Sequence, residues 1–235
     1  MTLRVLAVTA VFAVLVAAAP ARAQHEEHAA AQSTEKLGSV SFANSCAPAA
    51  SADFNRAVAL LHSFEFRTAI EGFEDVLSRD DTCAIAHWGI ALAYWGNPFG
   101  GVRSTTALQE GSAAVERARA TGTPTPRERA YIDAVAALFE NYQTVSQRDR
   151  ILAYEQGMAD LVRGNPEDIE AMIFHALAVN QTALPTDKTY AAQLEAAGIL
   201  EPLFERYPEH PGLAHYIIHA YDHPPLASRA LGAAR

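Results

Sequence analysis

The chain has 235 residues, half of them hydrophobic, and a formal net charge of −9 at neutral pH. Excess carboxylates are repelled by phosphate backbones and anionic lipid surfaces, which excludes nucleic acid as an expected partner. An apolar content this high over this length suffices to bury a full-sized core.

At the amino end, Arg4 is the only early charge, Val5 to Ala19 is apolar apart from Thr9, and Ala21-Arg22-Ala23 has the small-x-small form of a cleavage site. This pattern predicts a secretory signal peptide over 1–23, too short for a spanning helix. Its removal takes away two of the 18 basic residues and none of the 27 acidic ones, moving the net charge from −9 to −11. No later run reaches the roughly 20 apolar residues needed to cross a bilayer. The expectation is an exported protein, periplasmic or extracellular, without a membrane span. Residues 24–45 open on His25-Glu-Glu-His28 and continue with Ala, Gln and Ser, a composition expected of a flexible lead-in. The only cysteines are Cys46 and Cys83. An even count in an oxidising compartment predicts one disulfide, with two buried thiols as the alternative. Two cysteines alone do not make a closed zinc site.

From residue 52 onward the apolar spacing is helical. Phe54, Ala57, Val58 and Leu61 fall at i, i+3, i+4 and i+7, and Ile70, Phe73 and Leu77 repeat the pattern. No stretch alternates as a strand does. Helices are predicted over 52–64, 67–79, 84–96, 104–120, 127–142, 147–163, 167–182, 190–206, 211–223 and from 226 to the end. Asn97-Pro98, Gly122 to Pro126, Gly164-Asn165-Pro166, Pro185, Tyr207-Pro208 and Pro224-Pro225 separate them. Short loops between helices of this length suggest hairpins, which calls for a search for repeats. Ala57 and Leu60 recur 34 residues later as Ala91 and Tyr94.

On these residues the chain resembles the tetratricopeptide repeat (TPR) family, built from 34-residue helix-turn-helix units with small residues near positions 8 and 20 and a proline near 32. Pro166 and Pro208 match that proline, whereas Asp81 stands in its place in the first unit and residues 97–147 fit only as generic helices. With the export signal, the chain is similar to a group of exported bacterial repeat proteins that are usually longer, and the unpaired final segment from Ala227 to Arg235 suggests a fragment, with packing against another subunit as the alternative. The resemblance implies an all-α, right-handed solenoid of about five antiparallel hairpins over 46–235, binding a partner on its concave face.

The stretch His210 to Pro225, HPGLAHYIIHAYDHPP, holds four of the nine histidines. Setting Pro208 at repeat position 32 places His215, His219, Asp222 and His223 at positions that line the concave surface in this family. Helical geometry at 100° per residue agrees: these four side chains span an arc of about 100°, opposite Leu213, Ile217, Ala220 and Tyr221. The same mapping assigns His62, Trp88, Trp95, Asn180 and Gln181 to the groove, with core packing as the alternative for the two tryptophans. A concavity of aromatic, histidine and amide groups suits a peptide, protein or small ligand.

A His-x3-His pair on one helical face also suits Zn²⁺ or Cu²⁺, with Asp222 adding a carboxylate to His215 and His219. Tyr216 occupies the position where the zinc-protease signature requires glutamate, which removes that general base. There is no glycine-rich phosphate loop and no Gly-x-Ser-x-Gly elbow. The sequence therefore favours a non-enzymatic binding or scaffold protein. A metal carrier or metal-dependent enzyme centred on His215, His219 and Asp222 is the second reading.

Overall fold

The computed structural model describes residues 37–122 and 124–235. The signal-peptide reading of 1–23, and the part of the lead-in before residue 37, lie outside the described residues. The described residues form α-helices, short 3-10 turns and loops, without a strand. The helices are α1 (Ser51–His62), α2 (Phe66–Arg79), α3 (Ala84–Trp95), α4 (Thr105–Ala120), α5 (Pro126–Ala136), α6 (Gln147–Gly164), α7 (Ile169–Gln181), α8 (Ala191–Arg206) and α9 (Pro211–Tyr221).

Local chemistry sets most of these starts. Ser104, Ser146 and Asp168 each accept a backbone N–H of the first turn that follows them, in α4, α6 and α7. Thr125 and Glu128 form a reciprocal capping box on α5, with Pro126 in its first turn. Helix α5 stops at Ala136, short of the expected 142, because the chain tightens into i→i+3 turns and Asn141 takes a left-handed conformation (φ 49°). The expected last helix is a 3-10 segment, Ala227–Gly232, with no buried residue.

Consecutive helices pack on one another, and small residues set how closely. A Cβ on Gly72 of α2 would meet Ala57 of α1 at 3.1 Å, and a Cβ on Gly157 of α6 would meet Ala134 of α5 at 3.1 Å. Odd-numbered helices also pack together: α1 with α3, α3 with α5, and α7 with α9. Helix α1 touches α9 as well, so the last helix returns to the first.

That return fills the space where the sequence reading expects a groove. Phe174 stacks on His62 with centroids 4.4 Å apart, Trp88 meets Phe174 at 5.3 Å, and Tyr131 meets Trp88 at 5.2 Å. Phe42 enters from the amino-terminal side against Phe54, Trp88 and Tyr131, and is 2% exposed. The expected flexible lead-in over 24–45 is therefore packed from Leu37 onward. The Ser39 N–H donates to the Glu209 carbonyl at 2.9 Å, and the backbone and hydroxyl of Ser45 both donate to Glu128. The buried Phe42 ring, with Leu37 and Val40 packed beside it and these hydrogen bonds, orders a segment whose composition otherwise reads as disordered. Cys46 and Cys83 form a disulfide that ties this segment to the start of α3. No described helix is long and apolar enough to cross a membrane.

Candidate functional site

Helix α9 carries the histidine-rich stretch and presents it in three directions. Leu213, Ile217, Ala220 and Tyr221 are buried in a cluster with Ala196, Ala197 and Leu200 of α8. His210, the residue before the helix, turns into the interior. His215, His219, Asp222 and His223 lie along the remaining side, partly or fully exposed.

The interior set is a closed hydrogen-bond network. His62 Nε2 lies 2.9 Å from one oxygen of Glu170 and His210 Nε2 lies 3.0 Å from the other. Tyr216 Oη is 2.9 Å from His62 Nδ1, and the Gly212 N–H donates to His210 Nδ1 at 3.2 Å. The backbone donor fixes the protons. His210 Nδ1 must hold a lone pair, so its proton sits on Nε2 and points at Glu170. Burial alone would raise the Glu170 carboxyl, but the hydrogen bonds from His210 and His62 outweigh it and hold it down to about 2. Burial lowers the His62 imidazole, overcoming the upward pull of Glu170, so that ring is neutral near pH 7. A neutral His62 then donates to Glu170 through Nε2 and accepts from the Tyr216 hydroxyl through Nδ1. Every polar hydrogen is accounted for, and one carboxylate charge is solvated by two imidazole N–H groups.

His62, Glu170 and His210 also bring their ligand atoms within 4.8 Å of one another, close enough to hold an ion. The donor set does not suit one. A ligating imidazole gives its lone pair to the metal and its second N–H to an acceptor. His210 has the reverse arrangement, because Nδ1 faces a backbone N–H. Cys46, Asp80 and Cys83 are grouped just as closely, but their sulfurs are bonded to each other.

His215 and His219 differ in this respect. His215 Nδ1 lies 2.7 Å from the His62 carbonyl oxygen, so it carries the proton, and Nε2 keeps a lone pair. His219 Nε2 lies 3.1 Å from that same atom. Burial lowers both imidazoles below their ordinary value, with mutual repulsion adding to the effect on His219, so both are neutral at pH 7. The Phe64 ring packs 4.4 Å from His215 and 5.5 Å from His219, and Phe99 packs 4.6 Å from His219. Asp222 remains exposed, and its carboxylate does not join the pair as a third close ligand.

Beside His219 opens a cleft of about 650 Å³, walled by Phe99, Pro98, Pro185, Tyr190 and Pro224. Asn180, Gln181, Gln193, His219, Asp222 and His223 line it. Three amide atoms along it are buried without a partner: Asn180 Nδ2, Gln181 Nε2 and Gln193 Oε1. The other end of Gln193 lies 3.3 Å from His223 Nε2, which orients both groups. One wall of the cleft, Tyr190, and the neighbouring Phe64 beside His215 are held in strained backbone. Phe64 (φ 61°) and Tyr190 (φ 57°) both take the left-handed conformation that bulky residues avoid. Phe64 lies against His215, and Tyr190 packs 5.0 Å from His223. Such strain persists where surrounding contacts over-determine it, and it concentrates at binding sites.

Among the residues assigned to a groove, Asn180, Gln181, His219, Asp222 and His223 meet at this cleft. His215 adjoins it through His219. Trp88 and Trp95 do not line it: they are 0% and 2% exposed, one in the aromatic interior and the other beneath Arg103 and Arg150. His62 is fully buried in the Glu170 network. Helix α3 is apolar on nearly every side, which is the signature of an interior helix and outweighs the repeat-position assignment of its tryptophans. The sequence reading missed Glu170, Gln193, Phe64 and Tyr190. Glu170 sits among apolar residues in Ile-Glu-Ala-Met-Ile-Phe, the one signal that marked it as a buried charge. Comparison of the chain with protein-family models, curated proteins and solved structures gave no match.

Proposed function

We propose that this is an exported binding protein of TPR-like construction, a right-handed stack of about five antiparallel hairpins, that holds a peptide segment in the cleft between α7, α8 and the end of α9. The observation that carries this reading is the trio of buried, unpartnered amide atoms on Asn180, Gln181 and Gln193 along a cleft of about 650 Å³. Leaving such a group unpaired costs about 1–3 kcal/mol. These atoms have almost no exposed surface, so a ligand supplies the missing partners as the three side chains turn toward the cleft, and it then recovers that energy.

A peptide backbone is the chemistry that fits. It offers carbonyl acceptors to the two amide donors and an N–H to the Gln193 oxygen. Proline and aromatic walls suit its side chains, and the cleft volume lies in the range of small-ligand sites. The negative charge of the chain and the free carboxylate of Asp222 favour a neutral or basic segment over an acidic one. The Cys46–Cys83 disulfide supports export.

Panning a phage-displayed heptapeptide library on the wild type and on an Asn180→Leu, Gln193→Leu variant tests this. Enrichment of related sequences on the wild type alone is expected. Identical enrichment on both proteins, or none on either, would refute the cleft as the binding site.

A further inference from the structure

We infer that His215 and His219 form a transition-metal site at the edge of the cleft, taking a Cu²⁺- or Zn²⁺-class ion through their two Nε2 atoms and leaving the remaining coordination positions open. Three observations converge on it, and none depends on peptide binding.

The first is distance. Two nitrogens bound to one metal at about 2.0–2.1 Å are separated by roughly 2.9 Å at a square-planar angle and roughly 3.4 Å at a tetrahedral one. The two Nε2 atoms are 3.1 Å apart.

The second is proton placement. His215 Nδ1 donates to the His62 carbonyl, which fixes the ring and leaves Nε2 with its lone pair facing His219 Nε2. A ligating histidine is oriented in this way by its outer shell, and the His62–Glu170–His210 set lacks that feature. In the ion-free protein, the His219 N–H occupies the lone pair of His215. Metal binding frees this lone pair by shifting the His219 proton from Nε2 to Nδ1, a change of tautomer within a neutral ring with no net release of a proton. Both rings are otherwise neutral and ready to ligate.

The third is the surrounding construction. Phe64 adopts its left-handed backbone where its ring packs against both imidazoles, and Phe99 also packs against His219. These rings hold the side-chain rotamers and exclude water from one flank. Only two protein ligands converge here, so the ion keeps exchangeable positions. The site therefore suits reversible capture or a ligand-completed complex better than a closed structural centre.

The test is titration of the untagged full chain with CuSO₄ by calorimetry, together with electron paramagnetic resonance of the Cu²⁺ form. His25→Gln and His28→Gln are included in every protein to remove the amino-terminal histidines. One equivalent bound with two-nitrogen superhyperfine splitting is expected, and His219→Gln should weaken affinity at least tenfold and remove one nitrogen from the spectrum. His175→Gln, at a ring that pairs with Glu155 and does not line the cleft, is the matched control and should leave both readouts unchanged. No binding, or equal binding by the His219→Gln protein with an unaltered circular-dichroism spectrum, would overturn the assignment. Failure of peptide panning leaves these readouts unaffected, so the two proposals fail separately.

Discussion

Replacing Glu170 separates the roles of charge and hydrogen bonding at the interior of this protein. Glu170 is 3% exposed and accepts N–H groups from His62 and His210. In Glu170→Ala both imidazole donors lose their acceptor, at about 1–3 kcal/mol each, so the loss is roughly 4 kcal/mol before any cavity cost. For a chain of this size that is a fall in melting temperature on the order of 10 °C. Glu170→Gln is milder for a definable reason. The Gln oxygen accepts from His210, whose tautomer is fixed by the Gly212 N–H, and the amide group then faces His62. His62 accommodates it by moving its proton to Nδ1, which turns that atom into a donor toward Tyr216 and leaves the tyrosine hydroxyl without an acceptor. One hydrogen bond and the charge assistance of the others are lost, about 1–3 kcal/mol. Urea denaturation at pH 7.5 followed by circular dichroism measures both variants. The reasoning is refuted if Glu170→Gln unfolds at the wild-type midpoint, or if Glu170→Ala costs no more than Glu170→Gln.

Stability should fall as pH drops below about 6.5. Burial holds His62 below 6.5 and His87 down at about 4 in the folded chain, so the unfolded state takes up protons first. Thermal melts between pH 7.5 and 4 should show this decline, and His87→Gln should make it shallower. Reduction of Cys46–Cys83, 37 residues apart, should cost about 4 kcal/mol by chain entropy, read as a lower urea midpoint with reductant. Alanine at two helical glycines should act in opposite directions. Gly89→Ala drives a methyl into the Phe73 ring and should cost about 1–3 kcal/mol, while Gly198→Ala meets nothing within 4 Å and should gain up to about 1 kcal/mol. Asn180→Leu should leave the melting temperature unchanged or raise it, since it removes a buried amide with an unpaired donor; a large drop would mean the amide supports the fold instead of a ligand.

Helical periodicity was legible because it is a property of one segment at a time. The spacing of Phe54, Ala57, Val58 and Leu61 marks the buried side of α1, and all four are at most 2% exposed. The same single-helix geometry separates His215, His219, Asp222 and His223 from the buried Leu213, Ile217, Ala220 and Tyr221. The two cysteines pair, as their even count suggests. Periodicity does not say which helix a face will meet. Contact between α1 and α9 was decided by tertiary packing, and that packing turned the expected groove residues His62 and Trp88 into interior ones. It also brought Glu170 to His62 and His210 across 108 and 40 residues of sequence, and placed the His62 carbonyl against His215 across 153. Hydrogen bonds of that range depend on the relative placement of separate helices, a quantity carried by the packed core as a whole and by no local pattern.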